Sequence, residues 1–358
     1  MAPETLLIVG AGLMGSSIGL AAREAGWTVR ISDSSAESSS AASGLTGLPV
    51  VGEGFTPDLV VVATPPDEVP AVIQEALRLY PKSIVIDIAS VKAELQVKVE
   101  SLIGISAQYV PTHPMAGKSV SGAANASFDL LQDRRWVICP SQANSSSDLQ
   151  LVEKLVRDCG ATPIYMDVTK HDEAVAFTSH LPQLISSVLA KQLNTLSDEE
   201  VAVSGPGLRD MTRLASSDVG LWTQIVKSNN RYIGKAIANV IGDLEGLRNA
   251  ISTNSFDDVA VALTAGQVGR SRVPGKHGDA AEVYDIVAVL IDDKPGQLAS
   301  IFRCAEAADI NIEDVRIDHA LGRAVAIVEL SIKPDSVIAL QNALRADGWS
   351  LRPTVIAD

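Results

Sequence analysis

The chain is sparing with the residues that do the most recognisable chemistry. Its 358 residues include five histidines and three cysteines. Cys139, Cys159 and Cys304 are widely spaced and odd in number, so they suggest neither a disulfide framework nor a zinc site. Positive charge is scarce as well: 29 Lys and Arg stand against 43 Asp and Glu, a formal net charge of −14. That balance argues against a general nucleic-acid or membrane surface, both of which want basic patches. An anionic ligand must then be held by a few well-placed cations working against the overall field. No apolar run approaches the roughly 20 residues of a membrane span. A strand pattern begins at Thr5, leaving no room for a signal peptide, and a reducing, cytoplasmic setting is expected.

What is present reads as three regions. From Thr5 to about Asp167, the segments TLLIV, WTVRIS, DLVVVAT, SIVIDIA, QYVPT and RRWVIC alternate with helical stretches. Near-continuous apolar runs of this kind predict a buried parallel sheet, hence an α/β, doubly wound Rossmann domain over residues 1–168. The serine-rich stretch from Ser34 reads as a solvated loop or a helix start. Residues 169–268 read as an all-helical domain. Ile233, Ile237, Val240, Ile241, Leu244, Leu247 and Ile251 form an apolar stripe there, which predicts a helix packed on a partner. Residues 269–282 lie in a Gly-rich, basic stretch that reads as a linker. From residue 283 onward, strand, helix, strand, strand, helix and strand patterns follow one another, a βαββαβ unit that predicts a small ferredoxin-like domain.

Gly10, Gly12 and Gly15 form G-x-G-x-x-G after a strand and at the opening of a helix, and the next strand ends at Asp33. This spacing suits a tight turn, close approach of backbone to a pyrophosphate and a helix N-terminus facing the phosphates. Asp33 can accept hydrogen bonds from both ribose hydroxyls and would repel a 2′-phosphate, so NAD is expected rather than NADP. Leu13, Met14 and Thr64 complete the expected cofactor-binding set. One histidine, His113, stands in the unusual setting THPMAG, which is neither a helix pattern nor a good strand.

Several motifs in order then resemble one family: DIASVK at Asp87–Lys92, HPMAG at His113, KHDEAVAFTSHLP at Lys170–Pro182 and LRDMTRLASSDVGLW at Leu208–Trp222. Together they resemble the prephenate and arogenate dehydrogenases, over roughly residues 5–275. DKPGQLASIF and INIEDVRI, near the C-terminus, resemble an ACT domain, which some members of that family carry. The resemblance implies an NAD-dependent oxidative decarboxylation that makes a ring aromatic, in tyrosine biosynthesis, with no metal required. It makes His113 the base for the substrate hydroxyl, a task that suits an imidazole of ordinary pKa ~6.5. Ser90 would hydrogen-bond near that histidine, or act as a helix N-cap. Arg213 would grip a substrate carboxylate, since a guanidinium stays charged and binds bidentately, with Asp210 orienting it at i−3. His180 is expected near the substrate, with Trp222 and Arg209 as less specific candidates.

Three positions depart from the family pattern. Gln183 stands where many members have a second histidine, and Lys118 and Ser119 stand where a hydroxyl and an acidic residue are expected. A lysine there disfavours an ammonium group, so prephenate is expected over arogenate. In the ACT-like region, Asp293, Pro295, Gly296, Gln297, Leu298, Asn311 and Ile312 are the expected effector-binding residues. The effector would be an amino acid, with tyrosine expected, held between two chains of a homodimer. Two other readings remain: a 3-hydroxy-acid dehydrogenase, which would need a catalytic lysine that SHLPQ lacks, and a non-catalytic amino-acid sensor.

Overall fold

The computed structural model describes residues 3–117, 122–273, 284–319 and 324–352. The chain divides into two compact units, one ending at Arg248 and the other beginning at Asn249. The first unit is built on strands β1 (Thr5–Val9), β2 (Thr28–Ser32), β3 (Leu59–Val62), β4 (Ile84–Asp87), β5 (Tyr109–Pro114), β6 (Arg135–Ile138) and β7 (Thr162–Tyr165). Between them run helices α1 (Leu13–Glu24), α2 (Ala36–Thr46), α3 (Val69–Leu79), α4 (Ala93–Ile103) and α5 (Ser146–Asp158). The seven strands pair in the order β2-β1-β3-β4-β5-β6-β7. β3 and β4 are buried at every position, as strands covered by helices on both faces must be. A single parallel bridge, Ile31 to Val50, continues the sheet beyond β2.

The first five strands are parallel, as the apolar runs predict, but β6 is not. It pairs antiparallel with β5, and β7 runs parallel to β6. Among the described residues, only one 3₁₀ turn, Ala123–Asn125, lies between β5 and β6, so no crossover helix returns the chain for a parallel pairing. The strand β5 also runs further than QYVPT suggests. Thr112, His113 and Pro114 pair with Ile138, Val137 and Trp136, which places the histidine inside a strand rather than on a turn. The serine-rich stretch becomes α2, with Ser35 accepting from the Ser38 backbone N–H as its N-cap.

The chain is helical after Asp167: α6 (Val168–Val175), a π-helical turn (Ala176–His180), α7 (Leu181–Gln192), α8 (Asp198–Val201), α9 (Pro206–Thr212), α10 (Val219–Ser228), α11 (Asn230–Ser252) and α12 (Phe256–Ser271). The apolar stripe on α11 divides. Ile233 is buried, whereas Ile241, Leu244 and Ile251 are each more than half exposed. α12 passes through Gly266 and Gly269 to Ser271, so the first residues expected in the linker are helical. Two glycines cost a helix only about 1 kcal/mol each. Residues 274–283 lie outside the described residues.

The second unit contains β8 (Asp285–Asp292), α13 (Gln297–Ala307), β9 (Asp314–His319), β10 (Val325–Ile332), α14 (Val337–Ala346) and β11 (Ser350–Leu351). Its sheet is antiparallel throughout, in the order β11-β8-β10-β9. Val287, Val289, Ala326, Val328 and Leu330 alternate inward and pack on Ile301, Leu340 and Leu344 of the two helices.

Candidate active site

The carboxyl ends of β1, β3, β4 and β5 lie side by side, and Gly10, Thr64, Ser90 and His113 stand at or just beyond them. In the order β2-β1-β3, the chain reverses direction of winding between β1 and β3, the place where ligands settle in such sheets. Gly10 follows β1 with φ +100°, and a Cβ there would stand 2.5 Å from the Ala63 carbonyl oxygen across that gap. A Cβ on Gly15 would stand 2.0 Å from the Gly10 oxygen and 2.9 Å from Ile8 Cγ2, so this glycine lets α1 pack on β1. Gly12 is different: a Cβ there meets nothing within 4 Å. Nothing among the described residues excludes a side chain at this position. It is also the N-cap of α1 and supplies no capping side chain, which leaves the helix N-terminus open to an anion. Leu13 and Met14 form the first turn of that helix.

Asp33 follows β2. Its Oδ2 accepts the Ala11 N–H at 2.8 Å, and its Oδ1 accepts from Ser34 N at 2.8 Å. The aspartate is thereby locked beside the glycine loop. Across the gap, the Thr64 hydroxyl is buried without a hydrogen-bond partner among the described residues, an orphan donor and acceptor at a ligand-binding edge. The open Gly12, the free helix end, the fixed carboxylate and the unpartnered hydroxyl fit a dinucleotide.

Beneath His113 lies a buried polar network. Asp87, the last residue of β4, accepts from the Ala89 N–H and the Tyr109 hydroxyl, each at 2.8 Å, and forms an ion pair with Lys92. Both charged side chains are fully buried. The Asp87 carbonyl accepts from the Thr112 hydroxyl, which in turn accepts from Trp136 Nε1. The residue before the catalytic candidate is therefore fixed from two sides.

His113 itself is 9% exposed. Its Nδ1 lies 2.8 Å from Nε2 of His171, and the Nδ1 of His171 lies 2.8 Å from Oδ1 of Asp172. The tautomers follow from the chemistry of the partners. A carboxylate only accepts, so His171 donates from Nδ1; its Nε2 is then the acceptor for the Nδ1–H of His113. The Nε2 of His113 is left with a lone pair. Burial, first, and then the nearby His171, Lys92 and His180 push the His113 pKa well below its usual value. The ring is neutral near neutral pH, as a base must be.

Asp172 joins the two halves of the first unit. Besides holding His171, its carboxylate accepts the backbone N–H groups of Lys92 and Ala93, at 2.9 and 2.8 Å, and so caps α4. Its own carbonyl accepts from Asn229 Nδ2, which also lies 3.1 Å from Nδ1 of His180. That amide donates to both, so His180 carries its proton on Nε2. Burial pushes the His180 pKa down to about 4, and its ring meets Trp222 edge to face. His180 closes a π-helical turn, a rare geometry that recurs at functional sites.

The other expected residues fare unevenly. Ser90 lies three residues past β4 and makes no side-chain hydrogen bond among the described residues; it does not cap α4, because Asp172 does. It lines a small recess with Pro66, Leu95 and Ile225. Arg213 follows α9 and is exposed, but Asp210 does not pair with it: no ion pair joins them, and both face solvent. Gln183 reaches across instead. This amide, 4% exposed, donates to the Leu214 carbonyl at 2.7 Å and accepts from the Ser217 hydroxyl at 3.3 Å. It ties the turn bearing Arg213 to α7, the helix that His180 opens. Lys118 and Ser119 lie outside the described residues. His171, Asp172, Lys92 and Asn229 were missed as functional residues by sequence reasoning, although KHDE and DIASVK contain the first three.

In the second unit, the expected effector residues fall in two places. Asp293, Pro295, Gly296, Gln297 and Leu298 surround the N-terminus of α13, where Gly296 has φ +89°. Asn311 and Ile312 line an open groove with Phe302, Glu306, Ile310 and Val315, beyond the C-terminus of the same helix. Nine helical residues, Ala299–Ala307, separate them, about 14 Å at 1.5 Å each.

Comparison with known proteins follows the same divisions. The nucleotide-binding domain of prephenate dehydrogenase matches residues 18–165, and the prephenate dehydrogenase dimerization domain matches residues 167–265. The chain is 27% identical over 357 residues to "Probable prephenate dehydrogenase NovF" of Streptomyces niveus, covering 97% of this chain and 99% of that one. It is 24% identical over 344 residues to the prephenate dehydrogenase of Bacillus subtilis, covering 93% of each. Among solved structures, it resembles prephenate dehydrogenase from Aquifex aeolicus in complex with hydroxyphenyl propionate and NAD+. That likeness has 26% identity and a TM-score of 0.68, covering 75% of this chain and 98% of that one. Among the described residues, no helix is long and apolar enough to cross a membrane.

Two tests follow. Gly12→Ala should fold with an unchanged thermal midpoint yet lose NAD affinity, while Gly15→Ala should lower the midpoint itself; calorimetry beside NAD titration separates them. The neutral histidines also set a pH dependence. His180 has a folded pKa of about 4 against 6.5 unfolded, and His113 shifts in the same direction. Between those values the unfolded chain binds protons that the folded chain does not. Stability is therefore full above pH ~6.5 and falls as acid is added towards pH ~4, by roughly 3 kcal/mol for His180. Urea midpoints across that window should fall in the wild type and fall less in His180→Asn.

Proposed function

The chain belongs to the prephenate dehydrogenase family, and on that premise we propose that His113 is the base of an NAD-dependent oxidative decarboxylation of prephenate to 4-hydroxyphenylpyruvate. The observation that carries this reading is the free Nε2 lone pair of His113, fixed by two successive hydrogen bonds at the carboxyl edge of the sheet that also carries the glycine loop.

NAD, when bound along Gly10, Gly12, Gly15, Asp33 and Thr64, supplies the hydride acceptor. The protein's own part is to place and deprotonate the substrate. His113 Nε2 accepts the ring hydroxyl proton as the hydride leaves the same carbon. Loss of carbon dioxide then sends an electron pair through the ring to that oxygen, which recovers the proton from His113. The proton count is unchanged over the cycle, and the ring is aromatic at its end. His180, donating from Nε2, and Ser90 complete the surroundings of the hydroxyl. Arg213, which has no ion-pair partner among the described residues, grips a carboxylate, and Gln183 holds its turn in place. The family resemblance assigns Lys118 and Ser119 to recognition of the substrate side chain, and a lysine there favours the keto-acid form.

The second unit supports an ACT-like reading. Its βαββαβ order and the strand order β11-β8-β10-β9 fit a ferredoxin-like domain. Since the two sets of effector residues stand at opposite ends of α13, an amino acid such as tyrosine would bind between two chains. The exposed Ile241, Leu244 and Ile251 on α11 support a homodimer.

Purified protein with NAD should form NADH from prephenate. NADH from arogenate alone would keep the chemistry and reverse the assignment of Lys118, while silence with both substrates in NAD-binding protein would favour the sensor. His113→Asn should lower kcat by about 10²–10⁴-fold with NAD affinity nearly unchanged. Arg213→Ala should act mainly on the KM for substrate, and an unchanged KM would remove it from the carboxylate clamp.

A further inference from the structure

His113 is a poor place to leave a positive charge. It is buried, and among the described residues no carboxylate touches its ring; the charged groups that face it there are Lys92, from the β4–α4 connection, and, when protonated, His171 and His180. His171 is more deeply buried, at 1% exposure, but has the Asp172 carboxylate at 2.8 Å. The Asp87 carboxylate beneath them is already engaged by Lys92, Tyr109 and Ala89. The two imidazoles are joined by one 2.8 Å contact, with a donor on His113 and a lone pair on His171.

We propose that His171 is the second station of the proton transfer, so that the charge generated at His113 comes to rest on the imidazole paired with Asp172. As His113 Nε2 takes the hydroxyl proton, the proton on His113 Nδ1 moves to His171 Nε2. His113 is then neutral again, in the opposite tautomer, and His171 is an imidazolium with both nitrogens donating, one to His113 and one to Asp172. When the product oxygen recovers its proton from His113 Nε2, the second proton returns from His171 to His113 Nδ1. Nothing is oxidised or reduced in these steps, and both rings end as they began. His171 meets no substrate. It is a positioning and relay partner that acts through His113, and the inference rests on His113 being the base.

Two protons in flight leave a kinetic signature that orientation alone does not. The single-turnover rate of NADH formation from prephenate is measured in mixtures of light and heavy water. In the wild type, the rate should depend on deuterium fraction along a curve. In His171→Gln, which keeps hydrogen-bonding groups but cannot hold the charge, the rate should fall about 10²-fold, and the dependence should become linear. The KM for prephenate and the affinity for NAD should stay near wild type, the latter also verifying that the variant is folded. A linear plot in the wild type overturns the relay without the need of any variant. So does a His171→Gln rate within about twofold of the wild type, or a curve that survives the substitution. In each of these cases, loss of turnover in His113→Asn would leave the assignment of the base standing, whereas turnover surviving in His113→Asn would remove the base and the relay together.

Discussion

The first unit depends on one carboxylate. Asp172 lies at the start of the helical region, yet its oxygens serve the nucleotide-binding region: they cap α4 through Lys92 and Ala93 and hold His171 against His113. A carboxylate with this many donors satisfies a helix end that would otherwise leave buried N–H groups unpaired. It also fixes the tautomers of two histidines. Folding and the proposed chemistry therefore share the same hydrogen bonds, and His113 is held in its tautomer only when the helical region has docked on the sheet.

The buried Lys92–Asp87 pair extends this constraint. Buried ion pairs contribute little net stability, because desolvation offsets their attraction. What this one does is positional: Asp87 also holds Ala89, Tyr109 and, through its carbonyl, Thr112. The network thus links the end of β4 to the strand bearing His113, and Trp136 holds Thr112 from β6. The positive charge of Lys92 adds to the burial that keeps His113 neutral. A polar cluster of this kind is costly if incomplete and rigid when satisfied, and rigidity is what a base on a strand requires.

A second coupling joins the proposed substrate clamp to the helical core. Gln183 spends its amide on the turn that carries Arg213, through Leu214 and Ser217. A residue read from sequence as a departure in the substrate pocket is, in the fold, a brace. The same region turns its histidine into place with a π-helical turn, where the extra residue re-aims His180 towards Asn229 and Trp222.

Much of this was legible in the residues. Apolar runs of strand length gave the nucleotide-binding sheet, because a strand covered on both faces must be apolar throughout. The glycine spacing gave the cofactor loop, because a missing Cβ has local consequences: Gly10 needs a positive φ, and Gly15 sits too close to backbone for any side chain. The βαββαβ order of the second unit was equally local in origin. The antiparallel β6 was not legible, since strand direction depends on what lies between strands rather than on the strands themselves. Nor was the company His113 keeps. His171 and Asp172 are 58 and 59 positions away in the chain, and periodicity carries no information across such a distance. Sequence by itself determined which residues could do the chemistry; tertiary structure alone decided which hydrogen bonds leave one nitrogen of His113 free to do it.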